Sequence, residues 1–461
     1  MACDSGGGSG DGAAAGGAGS ADHVPGRARF FSPVRGRAFS RRALLFVSER
    51  VVRGIVSRTI VGIDVGSSKI CTLVGEVEDE GGIRVIGVGL GPARGIRRGV
   101  VVNVAEASAS IAASIEHAER TSGYKIERAY VGLSGTHISS LNSRGVVGIS
   151  RREHGITLED VDRALDAAHA IAVPHNQEVV HVIPRGYVVD GQNGVHDPVG
   201  MHGFRLEVEA HIVIASSSSI QNLVKCVEQV NVEVDELVLA SIAAGDAVLT
   251  DTERDMGVVV ADIGAGTTDL AIFIDGSVWH TVTLGLGGEY ITSDIAIGLR
   301  LPPDVAEGIK LEHGHAIAFQ VSPDERFTVS GLDGGARQPV LRWQLAEIIE
   351  ARVEEILAMI QQEIKRSGYD GLLPAGVVLC GGTAQLSGIQ DLGRDIMGLP
   401  VRVGAPQEMH GLVDKVSNPA HAVGAGLMGW GLTVDTRPQL RRSGPGLGSR
   451  LLNWLRVFLP G

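Results

Sequence analysis

The sequence predicts an α/β fold made of two similar halves that face one another, and three observations point there. The plan of Val61-Gly62-Ile63-Asp64-Val65-Gly66-Ser67-Ser68-Lys69 recurs at Val260-Ala261-Asp262-Ile263-Gly264-Ala265-Gly266-Thr267-Thr268-Asp269. Each is an apolar strand ending in Asp, then an apolar residue, then Gly with small hydroxyl residues, and the repeat spans roughly 200 residues, a domain's length. The chain has 461 residues. That is too long for one ordinary core, so at least two domains of roughly 100–200 residues are expected. A third strand-and-glycine run, GVVLCGGTAQLSGIQDLGRDI, belongs to the second half.

In chain order, residues 1–57 are read as a disordered extension, Gly/Ser/Ala-rich as far as Ala21 and then Arg-rich, with RRALLFVSERVVRGIVS a candidate short basic helix. The globular part starts at Thr59, where TIVGIDVGSSKICTLVGEV reads as a buried strand, a Gly/Ser turn and a returning strand. A helix is expected near 104–120. Residues 138–215 form a distinct block of short strands around one helix at 158–171, closing with the strands HVIPRGYVVD and FRLEVEAHIVIAS. Helices near 219–230 and 238–249 lead to the second hairpin, and helical spacing returns at 289–300, 303–313 and 342–367. NPAHAVGAGLMGW makes a last core helix, and the Pro/Gly/Arg-rich 434–446 a linker.

The net charge of −12 hides an asymmetry. Residues 1–58 carry nine Arg against four acids and 435–461 carry five Arg against one, which leaves 27 basic and 48 acidic residues between them. So acidic a body excludes non-specific nucleic-acid binding, which wants a basic face, while the two basic ends suit an anionic membrane. Cys3, Cys71, Cys226 and Cys380 are scattered, as expected of a reduced cytosolic chain with neither a disulfide frame nor structural zinc. No stretch approaches the roughly 18 consecutive apolar residues of a membrane span, and no apolar segment of a secretory signal is present.

The paired hairpins carry the chemistry. Gly66, Gly264 and Gly266 let the backbone turn tightly and aim successive N–H groups at a phosphate. Ser67, Ser68, Thr267 and Thr268 add hydroxyl donors, and Lys69 adds a point charge for terminal phosphates. Asp64 and Asp262, where strands run out into turns, suit a hydrated Mg²⁺. One such hairpin is common; two of them together point to a nucleotide. A Walker A loop is excluded because no Lys follows a Gly, and no G-x-G-x-x-G sits at a strand–helix turn.

With these motifs the sequence resembles the FtsA family, within the actin, chaperone and sugar-kinase superfamily, from Thr59 to Phe458. IDVGSSKI resembles the first phosphate motif, VVVADIGAGTTDLAIF the second, and GVVLCGGTAQLSGI the adenosine motif, in which Gly381 and Gly382 pass close to the nucleotide. Glu307 and Lys310, in PPDVAEGIKLEHG, match the helix that grips adenosine and ribose; Gly287 and Gly288, in GLGGEYITSDIA, match the loop before it. The resemblance implies actin-like (ribonuclease H-like) duplicated domains binding ATP and Mg²⁺. It divides the chain into subdomain 1A at 58–137 (completed by 216–254 and about 415–433), an SHS2-like subdomain 1C at 138–215, 2A at 255–300 and 365–414, and 2B at 301–364. It further implies self-assembly into filaments, other division proteins as partners, and docking of the C-terminal peptide of the tubulin-like FtsZ on 2B, for which Arg342 and Arg352 are basic candidates. The place of action would be the cytoplasmic face of the inner membrane, at the division site.

Residues 447–459 supply an anchor of their own. On a helical wheel Leu447, Leu451, Leu452, Trp454, Leu455, Phe458 and Leu459 fall within an arc of about 160°, with Arg450 and Arg456 outside it. A short, basic, aromatic-bearing helix behind a polar linker has the pattern of an interfacial membrane helix. Two other functions of the same superfold compete. A sugar kinase would need a carboxylate to activate a substrate hydroxyl; at the apparent equivalent of the position where chaperone and actin relatives carry Glu or Gln, this chain has Ala240, which implies slow ATP hydrolysis at most. A chaperone ATPase would need a substrate domain after the nucleotide domain, where only a linker and short helix follow.

Overall fold

A computed structural model describes residues 58–436 except 79–81, 151–154, 172, 330–337, 408 and 413–415. The extension 1–57 and the membrane-helix candidate 447–459 lie outside the described residues.

The apolar strand Thr59–Val65 turns at Gly66 and returns as Lys69–Val77, with Asp64 opposite Cys71. These two are the middle of a six-stranded sheet in the order Glu233–Leu239, Arg128–Leu133, Thr59–Val65, Lys69–Val77, Ile83–Pro92, Met409–Gly411. A second sheet runs Val401–Val403, Val377–Cys380, Val258–Ile263, Thr268–Ile274, Ser277–Leu284. In both, an antiparallel meander of three strands is extended from its first strand by two parallel ones. The duplication expected from the hairpins is therefore present in five strands of each sheet, and Met409–Gly411, parallel to Ile83–Pro92, is the first sheet's addition. In the second hairpin Asp262 stands opposite Asp269, where the first has Asp64 opposite Cys71.

Strand Val258–Ile263 is apolar except for Asp262 because both its faces are covered. Val258 and Val260 join the core shared with the first half, while Val259, Ala261 and Ile263 join a second core on the far side. Two helices, Ala240–Val248 and Ala422–Thr436, contribute to the shared core and are rich in Ala and Gly where they meet. Their backbones touch: a Cβ on Gly426 would lie 1.6 Å from the Ala243 carbonyl oxygen.

Helix Val104–Ser122 starts where Asn103 accepts from the Glu106 N–H, and stops at Gly123, whose φ of +70° ends it in the left-handed region. Between Arg128–Leu133 and helix Ser217–Glu228 the chain inserts a four-stranded sheet in the order Ile138–Gly148, Arg205–Ser216, Gln177–Val189, Gln192–Val195. Helix Leu158–His169, held at its start by a Thr157–Asp160 capping box, packs on it. Leu206, Val208 and Ile212 face this unit's own core, whereas Val213 and Ala215 turn into the main one. The second half adds helices Gly288–Leu299, Pro303–His313 and Arg342–Ser367 with a small hairpin, Arg326–Val329 and Gln338–Leu341.

Candidate functional site

The two hairpin turns close in the same way: the Gly66 N–H donates to the Lys69 carbonyl at 3.1 Å, and the Gly264 N–H to the Thr267 carbonyl at 2.9 Å. Both turns open on one cavity of about 840 Å³. Asp64, Gly66, Ser67, Ser68 and Lys69 line it from the first half; Asp262, Gly264, Gly266 and Thr267 line it from the second. Gly288, Glu307, Lys310, Gly381 and Gly382 line it as well, as does Ala240.

Two predicted residues stand back from it. Thr268 is fully buried and donates to the Leu286 carbonyl at 2.8 Å, which ties down the loop ahead of helix Gly288–Leu299. Gly287 caps that helix, and the next two N–H groups, of Gly288 and Glu289, donate at 2.9 Å to the carbonyls of Gly264 and Ala265. The loop is thereby pinned on the second turn. Gly381 has to be glycine: its φ is +87°, and a Cβ there would lie 2.4 Å from Asp262 Oδ1.

Acidic groups gather at the cleft floor. Burial raises the pKa of Asp64 to about 6, against the pull of Lys69 and with a further push from Asp269. Asp262 is pushed up by burial and then by Asp269 and Asp64. Asp269 is also raised by burial, although Ser134 (2.6 Å), Thr283 (2.6 Å) and Thr267 (3.0 Å) all donate to it. Lys69 Nζ donates to the Ala420 carbonyl at 2.7 Å. Lys310 Nζ reaches Glu307 (2.6 Å), Thr292 Oγ1 (2.8 Å) and the Gly288 carbonyl (3.2 Å), and Thr292 donates to Glu307, so these three join helix Pro303–His313 to helix Gly288–Leu299.

Sequence reasoning left Ser134, Asp269 and Thr383 unassigned, although all three line the cavity. Asp269 ends the second hairpin motif, just past its hydroxyls. Ser134 follows the buried strand Arg128–Leu133 at its carboxyl end, where α/β folds place ligand-facing residues, though its spacing does not show the bond it makes. Arg342 and Arg352 lie away from the cleft, in ion pairs within the chain: Arg342 with Glu325 at 2.9 Å, and Arg352 with Asp294 at 2.5 Å and with Glu355.

A cavity of this size fits a small molecule, whose usual sites measure about 300–1,000 Å³. Its turns, hydroxyls and Lys69 suit phosphate, and its three raised carboxylates suit a cation. Among the described residues no three His, Cys, Asp or Glu side chains are placed to hold a metal directly.

Solved structures share the architecture. The PilM–PilN type IV pilus biogenesis complex matches with a TM-score of 0.59 at 17% identity, covering 81% of this chain and 98% of that one. MreB 5 of Spiroplasma citri, solved bound to AMPPNP, matches with a TM-score of 0.51 at 14% identity, covering 82% and 97%. Duplicated meander sheets around a cleft make this an actin-like fold. The family model for the cell division protein FtsA matches residues 259–426, and that for the SHS2 domain inserted in FtsA matches 135–214. The cell division protein FtsA of Pseudomonas aeruginosa is 42% identical over 375 residues, 81% of this chain and 89% of that protein. That of Escherichia coli strain K12 is 35% identical over 419 residues, 88% of this chain and 99% of that protein. The chain belongs to the FtsA family of actin-like cell division proteins.

Proposed function

We propose that the cleft binds Mg²⁺-ATP with little turnover and that the chain assembles on the cytoplasmic face of the inner membrane, where it tethers FtsZ filaments and recruits later division proteins. The observation that carries the nucleotide reading is the meeting of both hairpins, the third glycine run and the Glu307–Lys310 helix around one cavity. The turns and Lys69 would hold phosphates, Asp64 and Asp262 would hold Mg²⁺ through water, and Glu307, Lys310, Gly381 and Gly382 would frame the nucleoside. Ala240, without an acid or base, lines the cavity, which argues for slow hydrolysis.

The anchor would be Leu447, Leu451, Trp454, Leu455 and Phe458, which share one apolar arc with Arg450 and Arg456 outside it, behind a polar linker. One such helix binds reversibly, and a filament of subunits gains avidity. The FtsZ peptide would dock on 301–364, where its acidic groups would compete with Glu325 or Asp294 for Arg342 or Arg352. Co-sedimentation with anionic vesicles tests this reading. The full chain should pellet, more so with ATP, and a chain ending at Thr436 or carrying Trp454→Glu should stay in solution. Equal pelleting of all three contradicts the anchor.

A further inference from the structure

The strand Ser277–Leu284 makes contacts in two directions. Toward the cleft, Thr283 Oγ1 donates to Asp269 Oδ1 at 2.6 Å. Two residues earlier, on the same face of the strand, Thr281 meets the inserted sheet. Its Oγ1 lies 3.0 Å from His211 Nε2, and its carbonyl accepts from Ser140 Oγ at 2.8 Å. His211 Nδ1 lies 2.8 Å from Asn142 Oδ1. This contact is dry, with His211 1% and Thr281 4% exposed. Burial, aided by His280, Arg185 and His181, holds the His211 pKa down at about 3, so the ring is neutral and has one donor. Because Asn142 Oδ1 can only accept, Nδ1–H donates to it and Nε2 accepts the Thr281 hydroxyl. Further back on the strand, Trp279 lies beneath the Arg185 guanidinium of the inserted sheet, 4.1 Å from ring centre to Cζ.

We propose that His211, which does not line the cleft, is a positioning residue for it: through Thr281 and a short run of strand it fixes Thr283, and Thr283 fixes the Asp269 carboxylate. The inserted unit and the cleft would then sense one another. The inference rests on the reading of the cleft as an ATP site. Its physical basis is that a packed, buried polar contact adopts discrete arrangements rather than yielding gradually, and that removing one partner strands the other. Coupling of this kind is reciprocal, so occupation of the cleft would in turn order the inserted sheet at His211.

The test uses full-length His211→Phe, which keeps a ring and removes both hydrogen bonds, with Thr283→Val and the double variant. Mg²⁺-ATP affinity by calorimetry should fall about fivefold or more in His211→Phe, within the usual range of such couplings. The double variant should lose less than the product of the single losses, because both changes cut one chain of contacts. In a ligand-free arm, amide hydrogen exchange across Arg205–Ser216 should speed up in Thr283→Val, a substitution made outside that sheet. Affinity within about twofold of the unsubstituted chain in His211→Phe overturns the proposal and leaves His211 a packing residue. If the unsubstituted chain binds no Mg²⁺-ATP, the proposed function fails and the exchange arm alone decides: faster exchange supports the link, and unchanged exchange overturns it. Should His211→Phe fail to fold, the near-isosteric Thr281→Val takes its place with the same outcomes.

Discussion

Asp64, Asp262 and Asp269 are three carboxylates in one buried floor, and each is pushed above its ordinary pKa, chiefly by that burial. A cation would relieve them, and a proton competes for the same oxygens. Asp64 titrates at about 6, so Mg²⁺-dependent nucleotide affinity should weaken as pH falls through about 6 and level off above about 7. Asp64→Asn should bind more weakly and lose most of this slope, which calorimetry across that range would show; a slope unchanged in Asp64→Asn would contradict the assignment. The residues that act through a local motif were legible in the sequence, because Asp64, Lys69, Asp262 and Thr267 lie within their own hairpins. Those that act by reaching across the fold were not. Ser134 meets Asp269 from the other half of the molecule, and Thr283 meets it from the next strand; nothing in the spacing of LSGTH or HTVTL announces either bond.

Helices with strong local signals were read nearly to the residue. Pro303–His313 opens on Pro, and Arg342–Ser367 ends at Gly368 with φ +79°. Short elements escaped. Asp251–Met256 has only six residues and is fixed by a Thr250–Glu253 capping box and by Arg402, which donates twice to Glu253 at 2.7 Å. The run at 238–249 suggests one helix, whereas Glu233–Leu239 is a strand and the helix begins at Ala240; the continuous apolar run LVLASIAA carries neither period cleanly. The contact of Ala240–Val248 with Ala422–Thr436 is where packing is tightest. Gly426→Val should lower stability by about 2 kcal/mol or more, because a side chain there meets the Ala243 backbone, which has no rotamer to retreat into. A melting temperature unchanged by this substitution would show that the two helices do not pack as described.

For the molecule as a whole, acid stability is a balance: buried histidines lower it as pH falls, while Asp64, Asp262 and Asp269, raised above their ordinary range, gain stability as they take up protons. His181 and His421 are held at about 4 and His211 at about 3, each mainly by burial. All three are more acidic than the ordinary 6.5, so the unfolded chain takes up protons first as pH falls. Their contribution is fully present above about 6.5 and is lost below it, by about 2 kcal/mol apiece at about pH 5. Between about pH 7 and 5 a thermal melt should therefore fall less in His181→Gln than in the unsubstituted chain, because the His181 bond from the Leu239 N–H is replaced by a group that does not titrate. The two-halved plan was legible from one repeated hairpin, since duplication writes itself into sequence; the docking of the inserted sheet against Ser277–Leu284 was not, since it joins side chains far apart in the chain. If the two halves hold a nucleotide between them, calorimetric titration of the full chain with ATP in the presence of Mg²⁺ reads it directly. One site per chain is expected, with affinity reduced at least about tenfold in Asp262→Ala, the loss of about 1.4 kcal/mol that one cation-holding carboxylate readily supplies. No heat of binding, or equal affinity in Asp262→Ala, would contradict it.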